Sequence, residues 1–200
     1  MLKITDTDTS GKPVAHGAAI QKITVQGQDI YFVTCHMWPQ AYGFGVAASD
    51  QERSKAAYEG DYYRQFEMQY ILAHTINDPQ YSGVENWVLL GDMNSRSRVD
   101  NATYNYTTNS TAFLTQDEIL NNTDMIDVIT NRYPAPENFV SSTYGAARID
   151  YVYVSPAMNG KVVNGFILND QWNYKGDPSP YVDTFRMPSD HRPILVDFEL

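Results

Sequence analysis

Residues that handle phosphate and metal ions occur in four stretches of this sequence, each beside an apolar run typical of a β-strand. The last stretch, 189–191, holds an acid and a histidine side by side, before the apolar run 193–198. The other three are 33–36, 88–94 and 148–155. Carboxylates bind hard cations, and imidazoles transfer protons near neutral pH. The pattern predicts four strand ends that converge on one pocket.

The stretch Gly91-Asp92-Met93-Asn94 places a carboxylate and an amide two residues apart. Gly91 permits a sharp turn where the strand ends, and an extended segment directs Asp92 and Asn94 to the same side. A carboxylate can orient or deprotonate a water, while an amide can donate to a phosphoryl oxygen. A simple strand-to-loop cap is the alternative interpretation.

Asp150 begins a predicted buried strand, where a carboxylate needs a partner. His191 is the expected partner, because a carboxylate bonded to one imidazole nitrogen fixes the tautomer and raises the basicity of the other nitrogen. A structural ion pair between Arg148 and Asp150 is the alternative. Asp190 offers a carboxylate to Mg²⁺ or Mn²⁺, which prefer oxygen ligands and retain several waters.

His36 ends its predicted strand and is followed by the aromatic-rich loop 38–44. Aromatic side chains of this kind usually pack in cores or loops. A non-catalytic module that binds phosphorylated or sugar ligands through such rings is an alternative function. Its aromatic platform would consist of Trp38, Tyr42, Phe44 and Trp172.

Strands alternate with helices along the chain, which predicts one mixed α/β layered domain (15–200) after a flexible segment, 1–14. A turn between 15–26 and 29–36 indicates a hairpin. Apolar residues at three- and four-residue steps, namely Tyr63, Phe66, Tyr70 and Ala73, predict a core-facing helix within 50–77, with Gly60 as a point of division. Further strands are expected at 86–92, 148–155, 161–168 and 193–199, and a short helix at 124–133.

Composition narrows the function. The chain has 200 residues and a formal charge of −10. The negative charge disfavours nonspecific binding along nucleic acid, because such binding requires clustered Lys and Arg. Arg96 and Arg98, which follow Asn94, still allow a local positively charged surface at the site. No apolar run approaches the roughly 20 residues that span a bilayer. The lone Cys35 excludes an internal disulfide and is expected to be a core residue.

In their order and spacing, His36, Gly91-Asp92-x-Asn94, Arg148-x-Asp150-Tyr151 and Ser189-Asp190-His191 resemble the endonuclease/exonuclease/phosphatase superfamily. The resemblance runs from about residue 15 to the C-terminus. It implies an α/β (α+β) domain with a DNase I-like fold, a layered β-sandwich flanked by helices. The implied activity is Mg²⁺- or Mn²⁺-dependent hydrolysis of a phosphoester by water, without a covalent intermediate.

The resemblance also implies roles for single residues. His191 resembles the catalytic histidine at the scissile phosphate, and Asp150 resembles the acid that orients it. Asp92 resembles the residue that positions or activates the attacking water, and Asn94 the amide that holds a phosphate oxygen. Asp190 resembles an acid of the metal site.

Substrate contacts follow from the same resemblance. His36 is similar to a second histidine that assists the leaving group or clamps phosphate, and Trp38 is expected to contact substrate with His36 and Asn94. The substrate class stays open between nucleic acid, a lipid head group and a small phosphoester. Few Cys and Lys with abundant Asn, Thr and Tyr suit an exported bacterial protein, as a compositional impression.

Two motifs of the superfamily have no counterpart here: a first strand bearing Asn, and a strand ending in Gln-Glu whose glutamate binds metal. Gln51-Glu52 has the letters, but it begins a helix after His36. The chain is therefore expected to be an N-terminally truncated domain with impaired activity and weak Mg²⁺ binding. An uncovered sheet face or edge predicts self-association.

Overall fold

The computed structural model describes residues 2–4, 16–40, 53–143, 146–168 and 189–200. Within these ranges there are eight strands and five α-helices. The strands are β1 (Leu2–Ile4), β2 (Ala18–Val25), β3 (Gln28–His36), β4 (Trp87–Asp92), β5 (Ile126–Asp127), β6 (Asp150–Val154), β7 (Val162–Ile167) and β8 (Ile194–Phe198). The helices are α1 (Arg53–Ala73), α2 (Asn101–Tyr104), α3 (Leu114–Asn122), α4 (Val128–Arg132) and α5 (Pro156–Asn159).

The strands form a six-stranded sheet in the order β1-β2-β3-β4-β6-β5 and a two-stranded sheet of β7 and β8. The predicted hairpin is confirmed: β2 and β3 are antiparallel, and Val25 pairs with Gln28. Gln26 and Gly27 make the turn with positive φ angles of 52° and 78°. Such a turn matches the twist of the strands it joins.

Three neighbouring strands at the centre of the large sheet align the predicted site residues. β3 and β4 are parallel, and His36 pairs with Asp92. β4 and β6 are antiparallel, and Asp92 pairs with Asp150. The register therefore puts three side chains of catalytic type side by side at one edge of the sheet.

Hydrophobic cores cover both faces of the large sheet. On one face, Met68 and Ile71 of α1 pack with Leu89 and Tyr153 of the sheet. On the other face, Val152 and its neighbours pack with residues of β7 and β8. This layering confirms the predicted α+β class.

The small sheet leaves apolar residues accessible. Val163 and Leu195, in β7 and β8, are 54% and 38% exposed, and Ile23 and Val25 of β2 are 40% and 37% exposed. Isolated exposed apolar residues are common in monomers. Self-association through these strands therefore stays a prediction.

Helix α1 differs from its predicted form in two ways. Gly60 lies within one continuous helix, where it is buried, so it does not divide the helix. Of the predicted core stripe, Tyr63 is buried but Ala73 is exposed. Met68 and Ile71 are fully buried instead. The buried Arg64 and Glu67 of the same helix bond to the backbone of the loop after β3.

The predicted helix at 124–133 is partly wrong. Ile126 and Asp127 form the short strand β5, which pairs with β6, and α4 begins only at Val128. Asp127 accepts hydrogen bonds from the backbone N–H of Ile129 and Thr130 and so caps α4. A cap at this position starts the helix four residues later than the sequence pattern suggested.

Two expectations from composition are met in the described part of the chain. Cys35 is a free, buried thiol, 7% exposed, and burial raises its pKa to about 12. That places it in the core. Among the described helices, none is long and apolar enough to cross a membrane.

Gly91 is expected to be essential for this arrangement. Its φ is +143°, and a Cβ there would stand 1.8 Å from the carbonyl oxygen of Cys35 on β3. We expect Gly91→Ala to lower the free energy of unfolding by about 3 kcal/mol or more, measured by urea denaturation. Gly83→Ala is the control, since nothing lies within 4 Å of its added Cβ. Equal stability of the two variants would contradict the β3–β4 approach described here.

Candidate active site

The site begins with the row of His36, Asp92 and Asp150 at the ends of β3, β4 and β6. Backbone bonds extend the row by one residue: Met37 N donates to Asp92 O (2.9 Å) and Met93 N to Ile149 O (2.8 Å). His36 Nε2 lies 3.6 Å from Asp92 Oδ2. The positions of these side chains are thus set by the sheet itself.

His191 reaches the row from the segment that precedes β8. It forms a bridge with Thr143, and the next residue, Arg192, donates its N–H to Ser142 O at 2.7 Å. His191 Nδ1 lies 2.9 Å from Asp150 Oδ2 and 3.9 Å from Asp92 Oδ2. The partner predicted for Asp150 is therefore its partner in the structure, and Nε2 stays outside that hydrogen bond.

A serine that the sequence analysis missed supports Asp150. The buried hydroxyl of Ser142 donates to Asp150 Oδ2 at 2.7 Å. It also accepts from the backbone N–H of Ile149 and Asp150, at 2.9 and 3.0 Å. The carboxylate thus receives donors from both Ser142 and His191. No pattern marks Ser142, since its partners are a carboxylate and backbone groups.

Asn94 is held as firmly as the carboxylates. Its backbone has φ = 48°, a left-handed conformation that asparagine tolerates. Its N–H donates to Asp92 Oδ1 at 2.9 Å, and its side-chain Nδ2 donates to Met37 O at 3.0 Å. Asn94 therefore ties the loops after β3 and β4 together. Its contact with a phosphate oxygen stays a prediction.

The surroundings shift the pKa values of His191, Asp92 and His36 in different ways. The hydrogen bond to Asp150 raises the pKa of His191 to about 9, so its imidazole is charged. Burial, and next the charge of Asp150, raise the pKa of Asp92 to about 6, so it remains mostly ionised at pH 7. Burial and the neighbouring His16 lower the pKa of His36, which is therefore neutral.

Aromatic rings border the His36 side of the site. The ring of His16, which no sequence pattern marked, stacks on His36 with centroids 4.5 Å apart. The ring centroid of Trp38 lies 6.4 Å from that of His16. Trp38 also packs edge-on against Tyr63, with ring centroids 5.8 Å apart. Contact of Trp38 with substrate stays a prediction. The other three aromatic residues of the alternative platform, Tyr42, Phe44 and Trp172, lie outside the described residues.

The alternative ion pair of Arg148 with Asp150 is wrong. The buried guanidinium of Arg148 instead donates to Asp100 at 2.6 Å and to Asp127 at 2.6 Å. Two other carboxylates neutralise Arg148, which leaves Asp150 to His191. Nothing in the local sequence distinguishes these acids, since one is 48 and the other 21 residues away.

A divalent cation fits the chemistry of this cluster. Asp92, Asp150 and His191 each offer a ligand atom, and these atoms lie within 4.8 Å of one another. The two carboxylates suit Mg²⁺ or Mn²⁺, which prefer oxygen ligands and retain waters, whereas His191 could join them only as a neutral imidazole and is charged at neutral pH. Asp190 is exposed and does not belong to this group. Its metal-binding role stays a prediction, and Gln51-Glu52 lies outside the described residues.

Comparisons with known proteins show the fold. No protein-family model and no curated protein matches the chain. Solved structures do match. The 3′-5′ exonuclease NExo from Neisseria meningitidis is 18% identical, with a TM-score of 0.55 over 90% of this chain and 65% of that one. An AP endonuclease from Archaeoglobus fulgidus is 19% identical, with a TM-score of 0.53 over 90% and 65%.

A truncated TDP2 from Caenorhabditis elegans is 12% identical, with a TM-score of 0.54 over 96% of this chain and 62% of that one. The chain spans about 65% of the length of the exonuclease and of the AP endonuclease. Its described part has the DNase I-like fold that these structures share, as the four motifs predicted.

The Asp150–His191 pair gives a testable titration. In EDTA-treated protein we expect an NMR pKa of about 9 for His191. Asp150→Asn should return this pKa toward 6.5, its ordinary value, and should do so more than Asp92→Asn, because the hydrogen bond to Asp150 is the largest cause. A pKa near 6.5 in the unaltered chain would contradict the hydrogen bond.

The same shift sets how stability depends on pH. The folded-state pKa of His191 is above its unfolded value, so the pair stabilises the fold fully below pH 6.5 and the effect is lost as pH rises through about 9. The stability difference between the unaltered chain and Asp150→Asn should therefore shrink over that interval. The hydrogen bond of Asp150 to Ser142 adds a difference that does not vary there.

Proposed function

We propose that this chain is a metal-dependent phosphoester hydrolase. The observation that carries the proposal is the hydrogen bond between His191 Nδ1 and Asp150 (2.9 Å), with Asp92 Oδ2 3.9 Å from the same nitrogen. The charged imidazole of His191 can stabilise an anion, and the ionised carboxylate of Asp92 can accept a proton. The fold supports the proposal, since similar structures include an exonuclease and an AP endonuclease, although a fold alone does not assign a function.

Asp92 is the proposed base. Its carboxylate accepts a proton from the attacking water, whose oxygen forms a bond to phosphorus as the bond to the leaving oxygen breaks. A pKa of about 6 keeps Asp92 ionised at neutral pH while making it a better proton acceptor than an ordinary aspartate. The site therefore needs no covalent intermediate.

His191 is the proposed electrostatic partner of the phosphoryl group. With Nδ1 held by Asp150, the imidazolium has Nε2–H left to donate to a phosphoryl oxygen. Donors fixed before the reaction stabilise charge as it develops in the transition state. Ser142 keeps Asp150 oriented for this purpose.

His36 and Asn94 are proposed to hold further phosphate oxygens. The lowered pKa of His36 makes it neutral, so it can donate one hydrogen bond but is a weak acid for the leaving group. Of the two roles that the superfamily resemblance offers for His36, the phosphate clamp is therefore favoured. Asn94 is rigid enough to share that role.

The proposed cofactor is Mg²⁺ or Mn²⁺. When bound, such an ion would neutralise charge on the phosphoryl oxygens. Asp92, Asp150 and the exposed Asp190 are the carboxylates available to hold it. Because few carboxylates surround the ion and it retains several waters, we propose that ion binding and turnover are weak.

Hydrolysis tests the proposal directly. We expect slow release of p-nitrophenol from bis(p-nitrophenyl) phosphate with Mn²⁺ and none with EDTA. His191→Ala should lower the rate by about 100-fold or more, the usual contribution of a positioned acid–base or electrostatic group. His74→Ala is the control, since His74 is exposed and contacts Tyr70 of its own helix. Equal rates for the two variants, or no metal-dependent activity, would overturn the proposal.

Calorimetric titration with Mg²⁺ and Mn²⁺ tests the proposed ligands. We expect weak binding, with a dissociation constant of about 1 mM, because few carboxylates surround the ion and it retains several waters. Asp92→Ala should abolish the heat of binding, and Asp190→Ala should reduce it. Asp117→Ala, which removes an acid paired with Arg98, should leave it unchanged. Tight binding of Mg²⁺ or Mn²⁺ that only the Asp190→Ala change abolishes would contradict the proposed weak metal site.

A further inference from the structure

One arginine near the site differs from the rest. The arginine side chains that the structure describes are Arg64, Arg96, Arg98, Arg132, Arg148 and Arg192. Most donate to carboxylates or to carbonyl oxygens. Arg96 has neither a carboxylate within salt-bridge distance nor a hydrogen-bond acceptor for its guanidinium among the described residues.

Two tyrosines hold Arg96 in place without neutralising it. Its guanidinium carbon lies 5.6 Å from the ring centroid of Tyr104 and 5.6 Å from that of Tyr106. The two rings stack on each other at 5.7 Å, and Tyr104 also packs edge-on against Phe139. Cation–π contacts fix the plane of a guanidinium and leave its N–H donors free. We call Arg96, Tyr104 and Tyr106 the Arg96 cluster.

The Arg96 cluster is anchored beside the catalytic row. Arg96 follows Asn94 by two residues, and the intervening Ser95 accepts a hydrogen bond from the Tyr151 hydroxyl at 3.2 Å. The backbone N–H of Arg96 donates to Ala112 O at 3.1 Å. The segment after β4 is therefore fixed at the edge of the sheet where β4 ends.

Tyr104 is tied to the other strand of the site. Its hydroxyl accepts the backbone N–H of Arg148 at 3.0 Å, two residues before Asp150. Burial lowers the pKa of the Arg64 guanidinium, and the nearby charge of Arg96 adds a smaller lowering effect. Arg96 thus lies near the site as an uncompensated positive charge in a chain whose formal charge is −10.

We propose that the Arg96 cluster binds a second phosphate group of the substrate, next to the one that is hydrolysed. This inference rests on the proposed function. A free, planar guanidinium donates two parallel N–H groups to a pair of phosphate oxygens, which gives both charge and geometry. The substrate is then a molecule with at least two phosphates.

Binding to small bisphosphates tests this inference without turnover. We would titrate the full chain in EDTA with thymidine 3′,5′-bisphosphate against thymidine 5′-monophosphate, and with inositol 1,4-bisphosphate against inositol 1-phosphate. One bisphosphate of the two pairs should bind about 10-fold or more tightly than its monophosphate, the usual strength of a charge-assisted bidentate contact. The pair that shows the preference identifies a nucleotide or an inositol source.

Matched arginine variants assign the effect to the cluster. Arg96→Gln should remove the preference, and Arg96→Lys should keep only part of it, because an ammonium is not bidentate. Arg98→Gln is the control: Arg98 also lies over a ring, that of Phe113 at 4.8 Å, but it is paired with Asp117. Circular dichroism should give all three variants the unfolding midpoint of the unaltered chain to within a few degrees.

The outcomes separate the two proposals. If the unaltered chain binds both members of each pair equally, or if Arg96→Gln keeps the preference, the inference is overturned. A preference that depends on Arg96 supports the phosphate site even if no metal-dependent hydrolysis is found. An Arg96-dependent preference without metal-dependent hydrolysis would overturn the proposed hydrolase activity and indicate a phosphate-binding protein.

Discussion

The register across β3, β4 and β6 is the constraint on which the site depends. Asp92 pairs with His36 on one side and with Asp150 on the other, so one strand end brings three polar side chains together. A shift by a single residue would turn every side chain of the moved strand to the opposite face. Gly91 makes the register attainable, because a side chain there would collide with the backbone of β3.

Buried polar contacts turn this alignment into a defined electrostatic state. Ser142 and His191 both donate to Asp150, which holds its carboxylate beside that of Asp92. Burial, and next the charge of Asp150, raise the pKa of Asp92. The hydrogen bond to Asp150 raises the pKa of His191. The hydrogen-bonded pair of Asp150 and His191 thus influences the charge of both Asp92 and His191, and removing either partner of the pair is expected to disturb both.

Sequence reasoning predicted β2, β3, β4, β6, β7 and β8 but not β1 or β5. It also predicted that His36, Asp92, Asp150 and His191 converge, because each lay at the end of an apolar run, in an order typical of one fold; their catalytic roles stay predictions. It missed Ser142 and His16, whose partners come from distant segments and carry no local pattern. Its alternative interpretation paired Arg148 with the wrong acid, since register and burial decide between near and distant carboxylates. Contacts fixed by tertiary packing were out of reach in each case.

A crystal structure of the chain grown with Mn²⁺ near pH 7 tests the convergence most directly. The account predicts His191 Nδ1 within hydrogen-bond distance of Asp150, His36 beside Asp92, and an anomalous Mn²⁺ peak at the Asp92 carboxylate. An imidazole of residue 191 turned away from both carboxylates, or Mn²⁺ bound only at a distant surface site, would contradict it.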